Sequence, residues 1–307
     1  MKDYFKTQKG VKLVKDTFEK KLAEKLSLIR VSAPRFLKVG KGLQDDLAGT
    51  QTPVSFSTKF CEKVEIVHSL AKWKRWTLGK HGFRQGAGLY TDMDAIRKDE
   101  DVSPIHSIYV DQWDWEKVIS KEDRTEEFLR KIVKQIFSAL KETESLVESE
   151  LGIKSTLPEK ISFIDTQEME IMLPDLSPKE REHEVAKKFG AVFIKGIGGK
   201  LESGKSHDLR AADYDDWTLD GDILVWDTVR QSSMELSSMG IRVDKKVLLR
   251  QLKESGLEER KELEYHKAIL EDKVPLSIGG GIGQSRMCMF LLQKKHIKEV
   301  QESVWPE

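Results

Sequence analysis

The stretch with the clearest chemical content is a glycine-rich segment at residues 279–286, which reads GGGIGQSR. Four of its first five residues are glycines, which allow positive φ angles and a close approach to a ligand. Apolar helix formers follow at 287–292, so the pattern predicts a strand end, a glycine turn and a helix start. N–H groups at a helix N-terminus suit an anion, and Arg286 adds a permanent positive charge. The alternative is a tight turn that only packs a helix on a sheet.

A second candidate for phosphate binding is Arg97, at the end of a predicted strand and beside the acidic turn 98–101. His106 and Ser107 stand at the start of the next predicted strand. An arginine at this place could neutralise charge on a phosphorus atom as pyrophosphate leaves. Taken alone, Arg97 is better explained as a surface residue that pairs with the acids of the turn.

Two carboxylates, Asp222 and Glu235, stand at the starts of successive predicted strands. Carboxylates on neighbouring strands can share a magnesium ion that ATP phosphates also hold. Charged residues at strand edges are also a common protection against aggregation, so the spacing leaves both interpretations open.

Other polar clusters could bind a small zwitterion. Gln112 and Asp114 lie two residues apart and therefore on one face of a strand, although a polar face between core tryptophans is the simpler interpretation. Three further charged segments are an acidic loop at 42–46, a basic helix at 69–75 and a long loop at 207–217. Long loops over a rigid sheet are where functional sites tend to lie.

The elements that must position these residues follow from the hydrophobic pattern. Helices are predicted over 11–26, 70–78 (with Ser69 as its cap), 128–147 (ending near Gly152), 178–189, 245–253 and 258–270. Strands are predicted over 63–67, 88–97, 104–113, 161–164, 191–195, 222–226 and 234–243, with an extended segment at 28–34. No repeat or linker is visible, so we expect a single domain, 1–307. Its fold class is predicted as mixed α/β (α+β), with a largely antiparallel sheet flanked by helices.

Composition excludes some classes of function. The 52 Lys and Arg residues balance 52 Asp and Glu residues, and this neutral net charge argues against a large nucleic-acid surface. Cys61 and Cys288 lack a paired metal spacing and are predicted to be reduced thiols. No signal peptide and no membrane-length apolar run is visible, so we expect a cytoplasmic protein that contacts no membrane.

Eight strings in matching order resemble the ammonia-dependent asparagine synthetases, a family of aspartate–ammonia ligases with a class II aminoacyl-tRNA synthetase core. They are HSLAKWKR (68–75), GLYTDMDAIR (88–97), YVDQWDWE (109–116), GIGGKL (196–201), DYDDW (213–217), GDILVW (221–226), ELSSMGIRV (235–243) and GGGIGQSR (279–286). The resemblance covers essentially the whole chain. It places the three class II signature motifs at the first helix with the 28–34 segment, at Arg97, and at Arg286.

The resemblance implies a reaction and its participants. Aspartate, ammonia and ATP would be the substrates, with magnesium as the metal and a homodimer built on the first motif. The side-chain carboxylate of aspartate would attack the α-phosphate of ATP and give an aspartyl-adenylate and pyrophosphate. Ammonia would then convert the adenylate to asparagine and AMP.

The resemblance also assigns residues at the amino-acid end of the site. Asp45 and Gln112 would lie at the reacting carboxyl group, with Asp45 binding ammonium or receiving its proton. Lys74 and Arg210 would hold the α-carboxylate of the substrate, and Asp114 and Asp215 its α-ammonium group. Ser238 completes the substrate-binding set.

At the nucleotide end, the same resemblance implies a set in which Arg97 and Arg286 act on the phosphates and two carboxylates hold the metal. The whole set comprises Arg97, His106, Ser107, Asp222, Glu235, Ser237, Gly281 and Arg286, with Asp222 and Glu235 as metal ligands.

Two alternatives stay open at this point. The chain could be a class II synthetase-like ligase that charges tRNA or another acceptor, or a non-catalytic nucleotide-binding regulator. Neutral net charge and no added anticodon-binding domain argue against the first, and the retained arginines and carboxylates argue against the second. One departure from some relatives is a short connection between Trp217 and Gly221, which could alter how the site closes.

Overall fold

The computed structural model describes residues 2–49 and 51–306, which form the following strands and helices. The strands are β1 (Leu28–Arg30), β2 (Phe36–Lys38), β3 (Ser55–Thr58), β4 (Cys61–Ile66), β5 (Gly88–Ile96), β6 (Tyr109–Val118), β7 (Ser162–Asp165), β8 (Ala191–Lys195), β9 (Asp215–Asp227), β10 (Ser232–Arg242) and β11 (Ser277–Gly283). The helices are α1 (Lys2–Leu26), α2 (Ala71–Lys80), α3 (Glu126–Leu151), α4 (Thr166–Met172), α5 (Pro178–Phe189), α6 (Lys245–Glu254), α7 (Glu264–Leu270) and α8 (Gln284–Leu291). Short 3₁₀ turns occupy Leu47–Gly49, Glu258–Glu262 and Ile297–Glu299.

The main sheet has eight strands in the order β1-β5-β6-β11-β10-β9-β8-β7. Its outermost pairs, β1 with β5 and β7 with β8, are parallel, and the pairs between them are antiparallel. A smaller sheet has the order β2-β4-β3. The predicted mixed α/β architecture with a largely antiparallel sheet flanked by helices is confirmed.

The core lies between the main sheet and the long helices α1 and α3. Val14, Phe18, Leu22 and Leu26 recur every fourth residue along α1 and are fully buried, and the ring of Phe18 lies 4.9 Å from that of Trp113. Burial of each such side chain contributes about 1.5–3 kcal/mol. Since Trp113 fills this face of β6, the alternate residues Gln112, Asp114 and Glu116 face the other side of the sheet.

Both ends of α3 carry the expected signals. Thr125 accepts a hydrogen bond from the N–H of Phe128 at 3.2 Å and caps the N-terminus. Gly152 ends the helix with φ 68°, a left-handed conformation that glycine adopts without a Cβ penalty. The predicted helix over 128–147 is therefore confirmed and extends from Glu126 to Leu151.

Several predicted boundaries were wrong. The strand predicted over 104–113 is β6, which begins at Tyr109 and continues to Val118, so that residues 97–108 form a loop. The predicted strand 222–226 is only the second half of β9. The short connection between Trp217 and Gly221 is not a loop but part of β9, where Asp220 pairs with Gly240 of β10. Strands β2 and β3 were missed because they are only three and four residues long.

Two helix predictions also need correction. The helix predicted over 258–270 is a 3₁₀ turn followed by α7, with Leu263 in an extended conformation between them. Ser69 is not the N-cap of α2, because Leu70 occupies that position without a side-chain cap. The Ser69 hydroxyl instead donates to Asp45 and accepts a 3.3 Å hydrogen bond from the N–H of Ala71. Among the described residues, none of the helices combines the length and apolarity that crossing a bilayer requires.

Candidate active site

One cavity of about 310 Å³ gathers most of the predicted site residues. The predicted residues that line it are Asp45, Lys74, Arg97, His106, Ser107, Gln112, Asp114, Arg210, Asp215, Glu235, Ser238, Gly281 and Arg286. Asp222 and Ser237 do not line it, although Asp222 contacts the lining residue Arg210. The structure therefore brings together, in a single cavity, residues that are far apart in the sequence.

Five side chains form what we call the buried ion cluster: Lys74, Asp114, Glu116, Asp215 and Arg242. Helix α2 places Lys74 with its Nζ 3.1 Å from Oδ2 of Asp114 and 2.8 Å from the carbonyl oxygen of Gly280. Burial lowers the pKa of Lys74, and Asp114 acts in the opposite direction. The other carboxylate oxygen of Asp114, Oδ1, is buried without a hydrogen-bond partner among the described residues. It is therefore an acceptor available to a ligand cation.

Arg242 links the other members of the buried ion cluster. Its Nε and NH2 donate to the two oxygens of Glu116 at 3.0 and 2.7 Å, and its NH1 donates to Oδ1 of Asp215. Burial raises the pKa of Asp215, against the opposing effect of Arg242. Sequence reasoning did not select Glu116 or Arg242, although Glu116 continues the alternation of Gln112 and Asp114 along β6.

The glycines of the 279–286 segment serve a different purpose from the predicted turn. They lie within β11, none has a positive φ, and α8 begins only at Gln284. A Cβ atom at Gly279 would lie 1.9 Å from Oε2 of Glu116, and one at Gly281 would lie 2.4 Å from Oε1 of Gln112. Gly279 and Gly281 are therefore needed because polar side chains of β6 occupy the space above them, and Gly280 is needed because Met239 and Ser238 of β10 lie close to it.

A β-bulge decides which residues of β10 reach the cavity. The pairing of β10 with β9 shifts register between Glu235 and Ser237 and again between Gly240 and Arg242. Consequently Glu235 and Ser238 both line the cavity although three positions separate them. Ser237 is buried outside the lining, and its hydroxyl has no hydrogen-bond partner among the described residues.

A second group of ionisable side chains lines the cavity, and we call it the arginine cluster. It consists of Arg97, His106, Glu235 and Arg286. Arg97 follows β5 and donates through NH2 to the carbonyl oxygen of His68 at 3.2 Å, and among the described residues it forms no ion pair. Its predicted pairing with the acidic turn is therefore absent from the described residues. Arg286, on the first turn of α8, donates to the carbonyl oxygens of Ile105 and Glu235 at 3.3 and 3.2 Å.

The remaining residues near the arginine cluster come from the loop before β6. The ring Nδ1 of His106 lies 2.8 Å from Oγ of Ser103, and burial lowers the pKa of His106, with Arg286 acting in the same direction. Ser107 is buried and donates to Oγ of Ser303 at 2.9 Å. The ring of His106 therefore lies near Arg286 in the wall of the cavity.

Arg210 and Asp222 join the two clusters. Arg210 comes from the loop between β8 and β9 and donates to Oδ2 of Asp222, while Oδ1 of Asp222 is buried without a partner among the described residues. Burial raises the pKa of Asp222, and Arg210 opposes this effect. Burial also raises the pKa of Glu235, but Arg286 and Arg210 outweigh it and the net shift is downward.

These carboxylates fit a magnesium ion that is shared with phosphates. No group of three or more His, Cys, Asp or Glu residues among those described forms a complete metal site. Asp222 and Glu235 supply two carboxylates, one with an unused buried oxygen. Magnesium is commonly held by one or two carboxylates together with substrate phosphates, and Asp222 and Glu235 would supply the carboxylates.

Asp45 lies in the loop between β2 and β3 and is 2% exposed. Its Oδ2 accepts a 2.6 Å hydrogen bond from the Ser69 hydroxyl, and its Oδ1 accepts one of 3.0 Å from the N–H of Leu47. These bonds fix the carboxylate at the cavity wall that Gln112 also lines.

Asp111, which sequence reasoning did not select, anchors the start of α8. Its carboxylate accepts hydrogen bonds from the N–H and hydroxyl of Ser285 at 3.0 and 2.8 Å and from Lys15 at 3.0 Å. The N-cap of α8 is Gly283, which has no side chain to cap the helix. A carboxylate of β6 therefore replaces the local cap and fixes the helix that carries Arg286.

The fold is shared with solved synthetase structures. The asparaginyl-tRNA synthetase of Pyrococcus horikoshii complexed with asparaginyl-adenylate matches with a TM-score of 0.71 and 16% identity, over 98% of this chain and 70% of that chain. An asparaginyl-tRNA synthetase of Entamoeba histolytica matches with a TM-score of 0.70 and 14% identity, over 98% of this chain and 67% of that chain. The fold is thus that of the class II aminoacyl-tRNA synthetases.

Sequence comparison specifies the family within that class. The family model of the aspartate-ammonia ligases matches residues 5–307. The aspartate–ammonia ligase of Clostridium tetani is 56% identical, over 99% of this chain and 90% of that protein. The aspartate–ammonia ligase of Fusobacterium nucleatum is 55% identical, over 99% of this chain and 94% of that protein. The one of Bacteroides fragilis is 53% identical, over 99% of this chain and 92% of that protein. The chain belongs to the aspartate–ammonia ligase family.

Proposed function

We propose that the protein is an ATP-dependent aspartate–ammonia ligase that makes asparagine through an aspartyl-adenylate and releases AMP and pyrophosphate. The observation that carries this proposal is the single cavity with two unlike ends. The buried ion cluster offers fixed charges of both signs to a zwitterionic amino acid, and the arginine cluster offers cations to phosphates.

The first half-reaction joins the two substrates. A carboxylate is a poor electrophile, so the side-chain carboxylate of aspartate attacks the α-phosphorus of ATP, a P–O bond forms, and the bond to pyrophosphate breaks. Arg97 and Arg286 are proposed to neutralise the charge that develops on the α-phosphoryl group. The cavity walls hold the two reactants close enough for this displacement.

The second half-reaction forms the amide bond. Ammonia attacks the acyl carbon of the adenylate, AMP leaves with the electrons of the acyl–oxygen bond, and the nitrogen loses a proton. Most free ammonia is ammonium at neutral pH, so a carboxylate beside the acyl carbon is needed to bind the cation and receive the proton. We assign this role to Asp45, with Gln112 as a hydrogen-bonding partner of the reacting carboxyl group.

Recognition of aspartate is assigned to the cavity end that holds the buried ion cluster. Lys74 and Arg210 are proposed to bind the α-carboxylate, and Asp114 and Asp215 the α-ammonium group, with Ser238 beside them. The unused Oδ1 of Asp114 supports its part of this assignment. Arg210 also contacts Asp222, which we assign to the magnesium ion of ATP, so Arg210 is proposed to lie between the two substrates.

The nucleotide set is proposed to contain a magnesium ion held by Asp222 and Glu235. When bound, the ion neutralises phosphate charge and orients the departing pyrophosphate. Asp222 needs its carboxylate unprotonated for this role; burial raises its pKa to about 7, and Arg210 opposes that rise. The remaining proposed nucleotide contacts are His106, Ser107, Ser237 and Gly281.

We propose three further properties of the whole protein. Residues 1–307 form one catalytic domain, two copies assemble through α1 and the 28–34 segment, and the enzyme works in the cytoplasm. The exposed side chain of Ile29 on the edge strand β1 supports the assembly, because an edge strand with an apolar residue favours pairing. A need for ATP and two unpaired cysteines support the location.

A product assay tests the function. The protein is incubated with ATP, aspartate, ammonium and magnesium, and nucleotides and amino acids are quantified by chromatography. We expect asparagine and AMP in equal amounts, and neither when aspartate is omitted. Formation of ADP and phosphate with asparagine would contradict the adenylate, and no asparagine at any ammonium concentration would contradict the ligase function.

A further inference from the structure

The loop that carries Asp45 depends on contacts with a distant segment of the chain. Apart from the short turn Leu47–Gly49, residues 39–49 form no regular structure. Irregular segments have few internal hydrogen bonds, so their position is set by what they pack against. Near Asp45 the loop is held to residues 66–69 by the hydrogen bonds of Gln44 with Ile66 and His68 and of Asp45 with Ser69, whereas its other side contacts a distant segment.

The loop rests on residues 260–266. The N–H of Tyr265 donates to the carbonyl oxygen of Lys41 at 3.1 Å, and Nζ of Lys41 lies 2.6 Å from Oε2 of Glu264. Gly42, with φ 74°, comes so close that a Cβ atom there would lie 2.9 Å from Cβ of Leu263. This close approach requires glycine and shows that the two segments pack directly on each other.

Arg260 makes a second charged contact between these segments. Its NH2 donates to Oδ2 of Asp46, the residue next to Asp45, and its NH1 donates to Oδ2 of Asp213 at 3.3 Å. Asp46 and Arg260 are 30% and 21% exposed, so solvent screens their pair only in part. A guanidinium is suited to this task because its fork reaches two carboxylates at once.

The second carboxylate that Arg260 contacts, Asp213, is itself held in place by other side chains. It is fully buried, and its Oδ2 also accepts hydrogen bonds from Lys72 at 2.6 Å and His266 at 2.9 Å. Burial by itself raises the pKa of Asp213, yet Lys72 and His266 outweigh burial, so the pKa lies below the usual range. The carboxylate is therefore ionised, and it ties α2, α7 and Arg260 together.

We infer that Arg260 is a positioning residue that holds the Asp45 loop in place for the ammonium step. This inference rests on the proposed function of Asp45. Arg260 is not among the residues that line the cavity, so it touches neither substrate directly. Loss of its bond to Asp46 loosens the side of the loop that faces residues 260–266, and among the described residues none of Arg97, Arg286 or the buried ion cluster contacts Arg260. Ammonium use then suffers, whereas adenylation does not.

The test compares the two half-reactions in Arg260→Met, Arg260→Lys and Asp46→Asn. Adenylation is measured as aspartate-dependent exchange of pyrophosphate into ATP, and the second step as the KM for ammonium in asparagine synthesis. We expect Arg260→Met to raise the ammonium KM by roughly 5- to 100-fold, since small displacements of a reacting group have effects of this size. Arg260→Lys should rescue part of the loss, and exchange should stay within about twofold of wild type.

Asp46→Asn gives a second route to the same result, because it weakens the pair from the loop side. The double variant Arg260→Met with Asp46→Asn should be no worse than the poorer single variant, as for two residues that act through one bond. Lys245→Met, which breaks an exposed pair with Asp272, is the matched control and should change neither half-reaction.

Three results would overturn the inference. They are an unchanged ammonium KM in both Arg260→Met and Asp46→Asn, additive effects in the double variant, and a loss of exchange as large as the loss of asparagine. Wild-type protein that makes no asparagine would instead overturn the proposed function, and the inference with it.

Discussion

The two ends of the cavity hold their charges in different ways. In the buried ion cluster, the Arg242 and Glu116 side chains are 2% and 0% exposed and 2.7 Å apart. In the arginine cluster, the Arg286 and Glu235 side chains are 23% and 39% exposed and 3.8 Å apart. The first end is therefore paired before any ligand arrives, and the second keeps cations with weak partners.

This difference indicates how each substrate is recognised. Aspartate is small and carries charges of both signs close together. A site whose side chains are already ordered by folding can match these charges without a further loss of conformational entropy on binding. A triphosphate carries several negative charges, and arginines with weak partners can turn to it without breaking a strong bond. We expect variants at the two ends to fail in correspondingly different ways.

The largest effect is expected for Arg97→Ala, at the arginine cluster. Loss of this cation should lower aspartate-dependent pyrophosphate exchange by about 10³–10⁵-fold, the range for arginines that stabilise phosphoryl transfer. Asparagine formation should fall equally, because no adenylate forms. Arg84→Ala, at an exposed arginine before β5, is the control and should retain both activities. Substantial exchange in Arg97→Ala would show that the arginine cluster does not act on the phosphate.

Asp45→Asn should separate the two half-reactions. Asparagine formation is expected to fall by roughly 10²–10⁴-fold, the usual range for a general base, while pyrophosphate exchange survives. The two rates are measured on the same preparation so that differences in active fraction cancel. If Asp45→Asn abolishes exchange as completely as Arg97→Ala, Asp45 is needed for adenylation and its assignment to ammonium is wrong.

Glu116→Gln tests whether the buried ion cluster is built during folding. Removal of one partner from a buried ion pair costs about 3–5 kcal/mol, so urea unfolding should show a lower free energy of unfolding without ligand. The KM for aspartate should rise while that for ATP changes little. The matched control is Asp16→Asn, which removes an exposed pair with Lys12 and should leave stability unchanged. Equal stability of Glu116→Gln and wild type would contradict the comparison.

The smallest effect is expected for Gly281→Ala, which adds one methyl group beside Gln112 and Asp114. The new Cβ would lie 2.4 Å from Oε1 of Gln112, so that side chain must move, and the aspartate KM should rise by roughly tenfold. Gly199→Ala is the control, because Gly199 lies outside the cavity lining and no described atom lies within 4 Å of the Cβ it would add. Similar kinetics for the two variants would show that the space above β11 is not important for aspartate.

Much of the fold and the site could be predicted from local patterns. Alternation along β6 placed Gln112 and Asp114 on one face, and the apolar spacing of α1 gave its buried side. The motif resemblance placed Arg97 and Arg286 in one site, because it carries the order of strands that a hydrophobic pattern lacks. The predictions made from pattern alone succeeded where a residue's place depends on its own element.

The failures share a dependence on neighbouring strands. The bulge of β10 is a property of its pairing with β9, so no spacing rule distinguishes Ser237 from Ser238. The glycines of β11 suggested a turn because glycine runs are common in turns. Only the aligned sheet shows that Gly279 and Gly281 make room for polar side chains of β6. Arg242 and Glu116 stand 126 residues apart, and only the assembled sheet shows that they pair.

The most direct test of the proposed mechanism follows an oxygen atom. Aspartate labelled with ¹⁸O in its side-chain carboxylate is supplied with ATP and ammonium, and the products are analysed by mass spectrometry. Attack of that carboxylate on the α-phosphorus, followed by release of AMP from the acyl carbon, transfers one labelled oxygen into AMP. We therefore expect one ¹⁸O atom in each AMP formed with asparagine. Unlabelled AMP, or label in inorganic phosphate released with ADP, would contradict the aspartyl-adenylate.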